Sequence, residues 1–447
     1  MKHTLLYAAT AVAVTTLAAC SFQEENLFDQ SAALRIESTN ADVQARLVAG
    51  SAQGQNGWLI QYFVGGTDNM KFEGFNLFGR FYESGKVTLS SDHRYLRNGQ
   101  ANKYTEYTSY YEMVKEEGSV LAFNTWNDVL TVFVDPVNPA SAPGRIDPDG
   151  EGMNGDDRLV LQSYSDDEML FRGERHSSLI HFVRLDRTPQ QYIADVAHLK
   201  GRVSNTVLDG YYVVNGQDTM YLTPIGKGYF KLCDRLVDPL QTYDLSCVFT
   251  PDGFRLSRNR EILRDTCQTF TVDADTSRLV SGDVQVIPCW DTYVAGHTAL
   301  WAFDSSRFSA AQQEAYAAIN AALKAFNANY ELSSIAMGRS TGGGAVKGLV
   351  LQYYTNAAKT KTNNCGIALA SQYLGYGKVG IALADNPARD INFGNIVKKS
   401  PALLDAVLSF AGTLTGTYTM VPDDYFLPTG AAFTPAGAGT AFVLSAK

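Results

Sequence analysis

Short strand-like segments separated by turn residues constrain the fold of this chain more than any other feature. Seven of them lie between residues 57 and 185: GWLIQYFVGG (57–66), FNLFGRFY (75–82), GKVTLSSD (85–92), YTSYYEMV (107–114), DRLVLQSYS (157–165), EMLFRGE (168–174) and SLIHFVRL (178–185). Segments of this length, rich in β-branched and aromatic residues and bounded by Gly, Asn and Asp, predict antiparallel strands. A second set follows from about 205 to 300. We therefore predict a mainly β fold of antiparallel meanders or barrel-like domains.

Four helices are predicted between these strands. Their starting signals are an N-cap residue, a proline at the first helical turn, or a capping box. They begin at Asp29 or Ser31, at Thr188-Pro189, at Ser309 with Gln312 three residues on, and at Ser400-Pro401. The first is expected to reach about Ala49, the third to cover 310–326 and the last to end at Gly412.

The two ends of the chain carry similar pairs of segments. GWLIQYF (57–63) and GKVTLSSD (85–92) resemble GLVLQYY (348–354) and GKVGIALAD (377–385), and the opening glycines are 28 and 29 residues apart. Each pair follows a helix. Ordinary strand patterns that begin at a glycine turn are the alternative, but two matches at one spacing favour a diverged duplication. Two similar β domains would then flank a middle β segment.

The predicted boundaries follow from these patterns. They are a signal peptide at 1–19, a lipidated tether at 20–28, an N-terminal helix and β domain at 29–187, a middle β region at 188–304, and a C-terminal helix and β domain at 305–447.

The first residues read as an export signal. Lys2 and His3 precede an apolar run from Leu5 to Ala19, which is shorter than the roughly 20 residues that a spanning helix needs. Leu17-Ala18-Ala19-Cys20 resembles a bacterial lipobox, and the acidic stretch 21–25 resembles the export signal of Bacteroidetes surface lipoproteins. We expect Cys20 to be acylated and the folded part of the protein to lie at the outer-membrane surface. The alternatives are a periplasmic position and plain secretion of a protein in which this cysteine is incidental.

Charge and cysteine content limit the partners and the chemistry. The net charge of −9 disfavours a nucleic-acid partner, because phosphate neutralisation needs a basic face. Five cysteines follow Cys20: Cys233, Cys247, Cys267, Cys289 and Cys365. Four of them cluster in the middle region, which in an oxidising compartment predicts one or two disulfides there, with the pairing left open.

The motif DPDGEGMNGDD (147–157) is the most suggestive for a ligand. Asp147, Asp149 and Glu151 stand at positions 1, 3 and 5 of a calcium loop, with glycine at position 6. Position 12 is Arg158, which supplies no carboxylate, so an acidic hairpin loop is favoured and calcium is the weaker alternative.

Other motifs predict no catalytic site. GRSTGGGAVKG (338–348) lacks the spacing of a phosphate loop, and His176 and His181 fall on opposite faces of a strand. Carboxylates in SDDEML (165–170) and PDDYF (422–426) fit charged turns. We therefore predict a protein that is not an enzyme and needs no cofactor.

Several segments together resemble the Bacteroidetes lipoproteins grouped as domain of unknown function 4302. They are FDQSAALRI (28–36), NGWLIQYFVGG (56–66), LAFNTWNDVLTVFVDP (121–136), GDDRLVLQSYSDDEMLFRG (155–173) and FTPDGFRLSRNREI (249–262), and the likeness extends to about residue 290. The resemblance implies a cell-envelope lipoprotein associated with SusC/SusD-type nutrient uptake, with a peptide or glycan as ligand.

The leading hypothesis is a non-catalytic surface lipoprotein that binds a nutrient or an uptake partner. Trp58, Trp126, Trp290 and Trp301 are candidates for stacking on sugars, although tryptophan is more typical of a core. A hydrolase whose carboxylates meet only in the fold, and a structural or adhesive envelope protein, are the alternatives.

Overall fold

The computed structural model describes residues 31–66, 72–136, 152–203, 210–226, 229–235, 239–273, 278–289, 291, 300–339, 347–387, 400–426, 428–437 and 439–446. The helices within them are α1 Ala32–Ala49, α2 Pro189–Val203, α3 Ala310–Phe326 and α4 Pro401–Gly412. Each was predicted from the sequence. Ser31, rather than Asp29, caps α1, and Ser309 and Gln312 form the expected capping box of α3.

The strands form three antiparallel units. Unit 1 contains β1 Trp58–Phe63, β2 Phe75–Phe81, β3 Lys86–Ser91, β4 Thr105–Tyr110, β5 Glu112–Lys115, β6 Ser119–Ala122, β7 Arg158–Tyr164, β8 Glu168–Gly173 and β9 Leu179–Arg184. Unit 2 contains β10 Tyr211–Asn215, β11 Asp218–Gly226, β12 Tyr229–Cys233, β13 Thr242–Thr250, β14 Gly253–Ile262, β15 Asp265–Asp273, β16 Arg278–Ser281 and β17 Val284–Pro288. Unit 3 contains β18 Leu300–Phe303, β19 Glu331–Arg339, β20 Lys347–Tyr354, β21 Thr362–Tyr373, β22 Lys378–Leu383, β23 Gly416–Pro422, β24 Gly430–Pro435 and β25 Phe442–Ala446.

Units 2 and 3 are closed eight-stranded barrels, and unit 1 is a nine-stranded sheet in the order β4-β3-β2-β1-β9-β8-β7-β6-β5. The two end strands β4 and β5 are consecutive in the chain and are separated by Tyr111 alone. One bent segment, residues 105–115, therefore joins both ends of the sheet into a barrel-like unit. The prediction of a mainly β fold with barrel-like domains is confirmed, and the middle region is itself a barrel preceded by α2.

The segments that suggested a duplication occupy comparable places in units 1 and 3. They form β1 and β3 in unit 1 and β20 and β22 in unit 3, so each pair is the first and third of three consecutive antiparallel strands. However, β1 directly follows α1, whereas β19 lies between α3 and β20. The copies are thus offset by one strand relative to their helices, and the duplication itself stays a prediction.

Helix α1 packs at one end of unit 1, which we call the helix end. There the indole N–H of Trp58 donates to Leu47 O at 3.0 Å, and Phe81 N donates to the Ser51 hydroxyl at 2.8 Å. At the opposite end of β2, the ring of Phe75 contacts that of Phe133 at 4.6 Å. This second end, the far end, carries the loop that follows β6.

The interiors of the barrels are filled by side chains. Unit 2 encloses a cavity of about 10 Å³, lined by apolar residues that include Val213, Phe230 and Phe270. A water molecule needs about 10–15 Å³, so this cavity among the described residues of unit 2 has no room for a nutrient-sized ligand.

A hairpin of unit 2 docks onto unit 1. Arg255, at the start of β14, reaches Gln61 Oε1 at 3.3 Å and His181 Nδ1 at 3.1 Å, and these two residues face each other on β1 and β9. Asn76 of unit 1 also donates to Phe249 O at 2.8 Å. The outer face of β1 is therefore covered, which explains why all six of its residues are buried.

Units 2 and 3 meet at a cluster of tyrosines around the buried carboxylate of Asp291. The Tyr212 hydroxyl donates to Asp291 at 2.8 Å, and Gly377 N donates to the same carboxylate at 2.9 Å. The Tyr373 ring stacks on Tyr212, with centroids 6.1 Å apart. Burial and the Asp291 charge raise the pKa of Tyr212, so this hydroxyl stays protonated and acts as a donor.

The prediction of disulfides in the middle region is wrong. Cys233, Cys247, Cys267, Cys289 and Cys365 are all buried, and none of them forms a disulfide bond. Each occupies a core position as a small apolar side chain, which is common for unbridged cysteine. Burial raises the pKa of the Cys247 thiol, so it is held in its unreactive protonated form.

Candidate functional site

Tryptophan exposure distinguishes one surface of the molecule. Trp58 and Trp301 are core residues with 0% and 3% exposure, whereas Trp126 is 45% exposed. Trp290 lies outside the described residues, as do Cys20 and the calcium candidates Asp147, Asp149 and Glu151. A large aromatic ring held in solvent is a candidate contact for a ligand.

The loop that carries Trp126 takes the place of a strand. Beyond β6 the chain leaves the sheet, and β4 would have unpaired backbone groups along that edge. Thr125 accepts a hydrogen bond from Tyr110 N at 3.0 Å, and the Asn127 amide donates to Tyr107 O at 3.2 Å. These two bonds, made by side chains on either side of Trp126, fix the loop against β4.

Asn127 organises the turn itself. Its side chain is fully buried, donates to the Ser109 hydroxyl at 2.8 Å and accepts from Val129 N at 3.1 Å. Its backbone N–H donates to the Thr131 hydroxyl at 2.9 Å. An asparagine that bonds the backbone two residues on is a common turn device, and here it sets the direction in which Trp126 leaves the surface.

The Trp126 ring is held at its edge and on one face. The indole N–H donates to the carboxylate of Asp128, and the Arg97 guanidinium lies over the ring, 5.6 Å from its centroid. Arg97 is itself paired with Asp135 at 2.7 Å. These contacts restrict both side-chain torsions of the tryptophan, so little conformational entropy remains to be lost when a ligand stacks on it. We call Trp126, Arg97, Asp128 and the exposed neighbours Asn124 and Thr125 the Trp126 platform.

A buried histidine, His93, contacts the chain that follows the platform. His93 Nε2 lies 2.9 Å from Val129 O, and its Nδ1 accepts from Tyr95 N at 3.2 Å. These two bonds fit the neutral ring with its proton on Nε2. Burial lowers the pKa of His93 to about 4, so the ring is neutral at physiological pH.

The platform lies at the far end of unit 1, away from the start of α1. Lys115, at the end of the bent segment nearest the helix, pairs with Glu37 at 3.6 Å, whereas the platform loop contacts that segment at Tyr107 and Tyr110. Arg97, which lies over the indole ring, follows β3, and Ser91 at the end of β3 donates to Asn76 O, beside Phe75 at the far end. The Trp126 ring is therefore held on the far-end side of unit 1 by a residue that follows β3.

Other buried polar residues have structural partners. The Asp156 carboxylate accepts from the N–H groups of Arg175, His176 and Ser178, at 2.8 Å to 3.1 Å. Burial and the Arg255 charge lower the pKa of His181 to about 4. Within the described residues no group of three His, Cys, Asp or Glu side chains is placed to hold a metal ion.

The family model described as domain of unknown function DUF4302 matches residues 24–274, more than half of the chain. The chain belongs to the DUF4302 family. The DUF4302 match contains unit 1 with the Trp126 platform, and it ends after β15 of unit 2. No curated protein shows significant similarity to the chain.

The two segments most specific to the DUF4302 resemblance have different places in the fold. LAFNTWND forms β6 and the platform loop, whereas FTPDGFR forms the hairpin that docks unit 2 onto unit 1. Sequence reasoning named Trp126 among four candidates for stacking on a sugar, but it favoured a core position for all four. Its polar neighbours, Asn124 to Asp128, were the signal that could have set it apart, because a core strand tryptophan has apolar neighbours at alternate positions.

No helix in the described part of the chain is long and apolar enough to cross a membrane.

Proposed function

We propose that the protein is a lipid-anchored cell-envelope protein, exposed on the outer-membrane surface, that binds a nutrient or a component of a SusC/SusD-type uptake system without converting it. The nutrient is a glycan or a peptide. The exposed and immobilised ring of Trp126 carries this proposal. Four side chains hold this ring or its loop in place: Arg97, Thr125, Asn127 and Asp128. Ligand sites commonly combine such an aromatic with a few fixed polar groups.

The anchor supports the same role. Acylation at Cys20 would leave 11 residues up to Ser31, the N-cap of α1, and such a chain spans at most about 40 Å whatever its conformation. A tether of this length leaves room for unit 1 to turn the Trp126 platform toward the medium.

Binding without catalysis is supported by the way the polar groups near the platform are used. Asp128 accepts the indole N–H, Asp135 pairs with Arg97, and the buried Asn127 amide is bonded to backbone and hydroxyl groups. General acid–base chemistry needs titratable groups aimed at a shared reacting atom. Here these groups are aimed at the loop and at the ring.

Protease treatment of intact cells tests the anchored and exposed state. The wild-type chain is compared with Cys20→Ala by immunoblotting, with a periplasmic marker as control. Loss of the wild-type band while the marker survives is expected; protection of the wild-type protein would contradict surface exposure.

Glycan and peptide arrays test binding with the chain from residue 21 onward. Trp126→Ala is compared with Tyr243→Ala, which removes a 50% exposed aromatic ring from unit 2. Specific retention by wild type and Tyr243→Ala, lost in Trp126→Ala, is expected. Equal retention by all three proteins would show that the platform is not the site, and no retention by any of them would contradict the binding function.

A further inference from the structure

We propose that the Trp126 platform binds a pyranose ring of a neutral glycan, stacked on the indole face opposite Arg97. This inference rests on the proposed binding function and names the ligand class of the same site. Three properties of the platform carry it: the presentation of the ring, the polar groups at its edge, and the state of the neighbouring strand edge.

The ring is presented as a flat, preoriented surface. Arg97 covers one face, Asp128 fixes the N–H edge, and 45% of the residue stays exposed. A pyranose has an apolar face of C–H groups and a rim of hydroxyl groups, so it matches a flat aromatic surface with polar groups around its edge. Fixing the tryptophan in advance lowers the entropy cost of stacking.

The polar groups at the ring edge suit hydroxyl donors. A carboxylate accepts several hydrogen bonds, so Asp128 can accept the indole N–H and also a sugar hydroxyl beside the ring. Asn124 and Thr125 are exposed on the same loop and supply further donors and acceptors.

Charge favours a neutral ligand over an acidic one. Asp128 lies at the stacking surface, and the whole chain carries a net charge of −9. Arg97, the cation at the platform, is already paired with Asp135 at 2.7 Å. A uronate or sulfate group on the stacked sugar would approach a carboxylate and would be repelled.

The strand edge disfavours a peptide. An extended peptide is commonly captured by adding a strand to an open sheet edge, where backbone groups supply the affinity. Beside Trp126 the open edge of β4 is occupied at Tyr110, whose N–H donates to the Thr125 hydroxyl. A peptide would have to displace the loop that holds Trp126.

The experiment is a calorimetric and fluorescence titration of the chain from residue 21 onward. The probes are a set of neutral oligosaccharides (maltohexaose, cellohexaose, xylohexaose and the neutral members of a glycan array), oligogalacturonate as acidic probe, and a tryptic casein digest as peptide probe. Wild type, Trp126→Ala, Trp126→Phe and Tyr243→Ala are compared after circular dichroism has shown equal folding. We expect a neutral glycan to bind wild type and Tyr243→Ala, to bind Trp126→Ala at least about tenfold more weakly, and to be partly retained by Trp126→Phe.

The outcomes separate this inference from the proposed function. If only the casein digest or the oligogalacturonate binds, and does so through Trp126, the neutral-glycan inference is overturned while the binding function survives. A neutral glycan that binds Trp126→Ala as tightly as wild type overturns the site. If none of the probes binds, both are overturned.

Discussion

The buried histidine beneath the platform predicts that the far end of unit 1 is sensitive to acid. His93 is neutral in the folded chain, with Nδ1 accepting from Tyr95 N, and protonation at this nitrogen would remove that bond. Its pKa is lowered from 6.5 to about 4 by burial. Because the folded pKa is depressed, the stabilisation is fully present above pH 6.5 and is lost as the pH falls toward 4.

The magnitude follows from this pair of pKa values. Between pH 7 and pH 5 the unfolded chain becomes largely protonated at this histidine while the folded chain does not. Thermodynamic linkage then predicts that this one histidine lowers the free energy of local unfolding of the far end by about 2 kcal/mol.

Native-state hydrogen exchange measures this loss directly. Peptides covering residues 119–136 are followed at pH 7 and pH 5 in wild type, in His93→Gln and in His198→Gln, which replaces an exposed histidine of α2. Wild type and His198→Gln are expected to lose about 2 kcal/mol more than His93→Gln over this range, because glutamine does not titrate. Parallel pH dependence in wild type and His93→Gln would refute the reasoning.

Three further predictions concern single side chains. Asn127→Ala removes the buried amide of the platform loop and should lower the free energy of unfolding by about 2–3 kcal/mol in urea titrations. The control Asn124→Ala replaces an exposed residue and should change this free energy by less than about 0.5 kcal/mol. Equal effects of the two variants would contradict the account of the loop. Gly253→Ala places a Cβ against the carbonyl oxygen of a neighbouring strand and should lower the melting temperature of unit 2 in calorimetry, and an unchanged melting temperature would contradict this packing. Arg255→Ala removes a charge that lowers the pKa of His181, so this pKa should rise in an NMR titration; an unchanged value would argue against the docked hairpin.

The secondary structure was largely predictable because it depends on local patterns. Caps and prolines placed all four helices, and the apolar alternation with turn residues placed the strands of unit 1. The segment 107–114 was read as one strand, but the chain bends at Tyr111 and divides it into β4 and β5. Nothing in the local pattern marks that bend, because it is imposed by joining the two ends of the sheet.

Features that depend on tertiary packing were not predictable in the same way. The cysteine cluster suggested disulfides, yet the barrel places each cysteine in a core position. Arg255 was part of a family-like segment, but its contacts with Gln61 and His181 join residues more than 70 positions apart in the chain. The exposure of Trp126 likewise follows from a loop that substitutes for a missing strand, and the sequence alone ranks it with the core tryptophans.

Ligand retention on intact cells tests the central claim most directly. Cells that display wild type, Trp126→Ala or Cys20→Ala are incubated with fluorescently labelled neutral glycans and washed, with surface antibody staining as the measure of display. The account predicts retention by wild type, loss of retention by Trp126→Ala at equal display, and loss of display itself by Cys20→Ala. Retention by Trp126→Ala equal to that of wild type, or no retention by a fully displayed wild type, would contradict it.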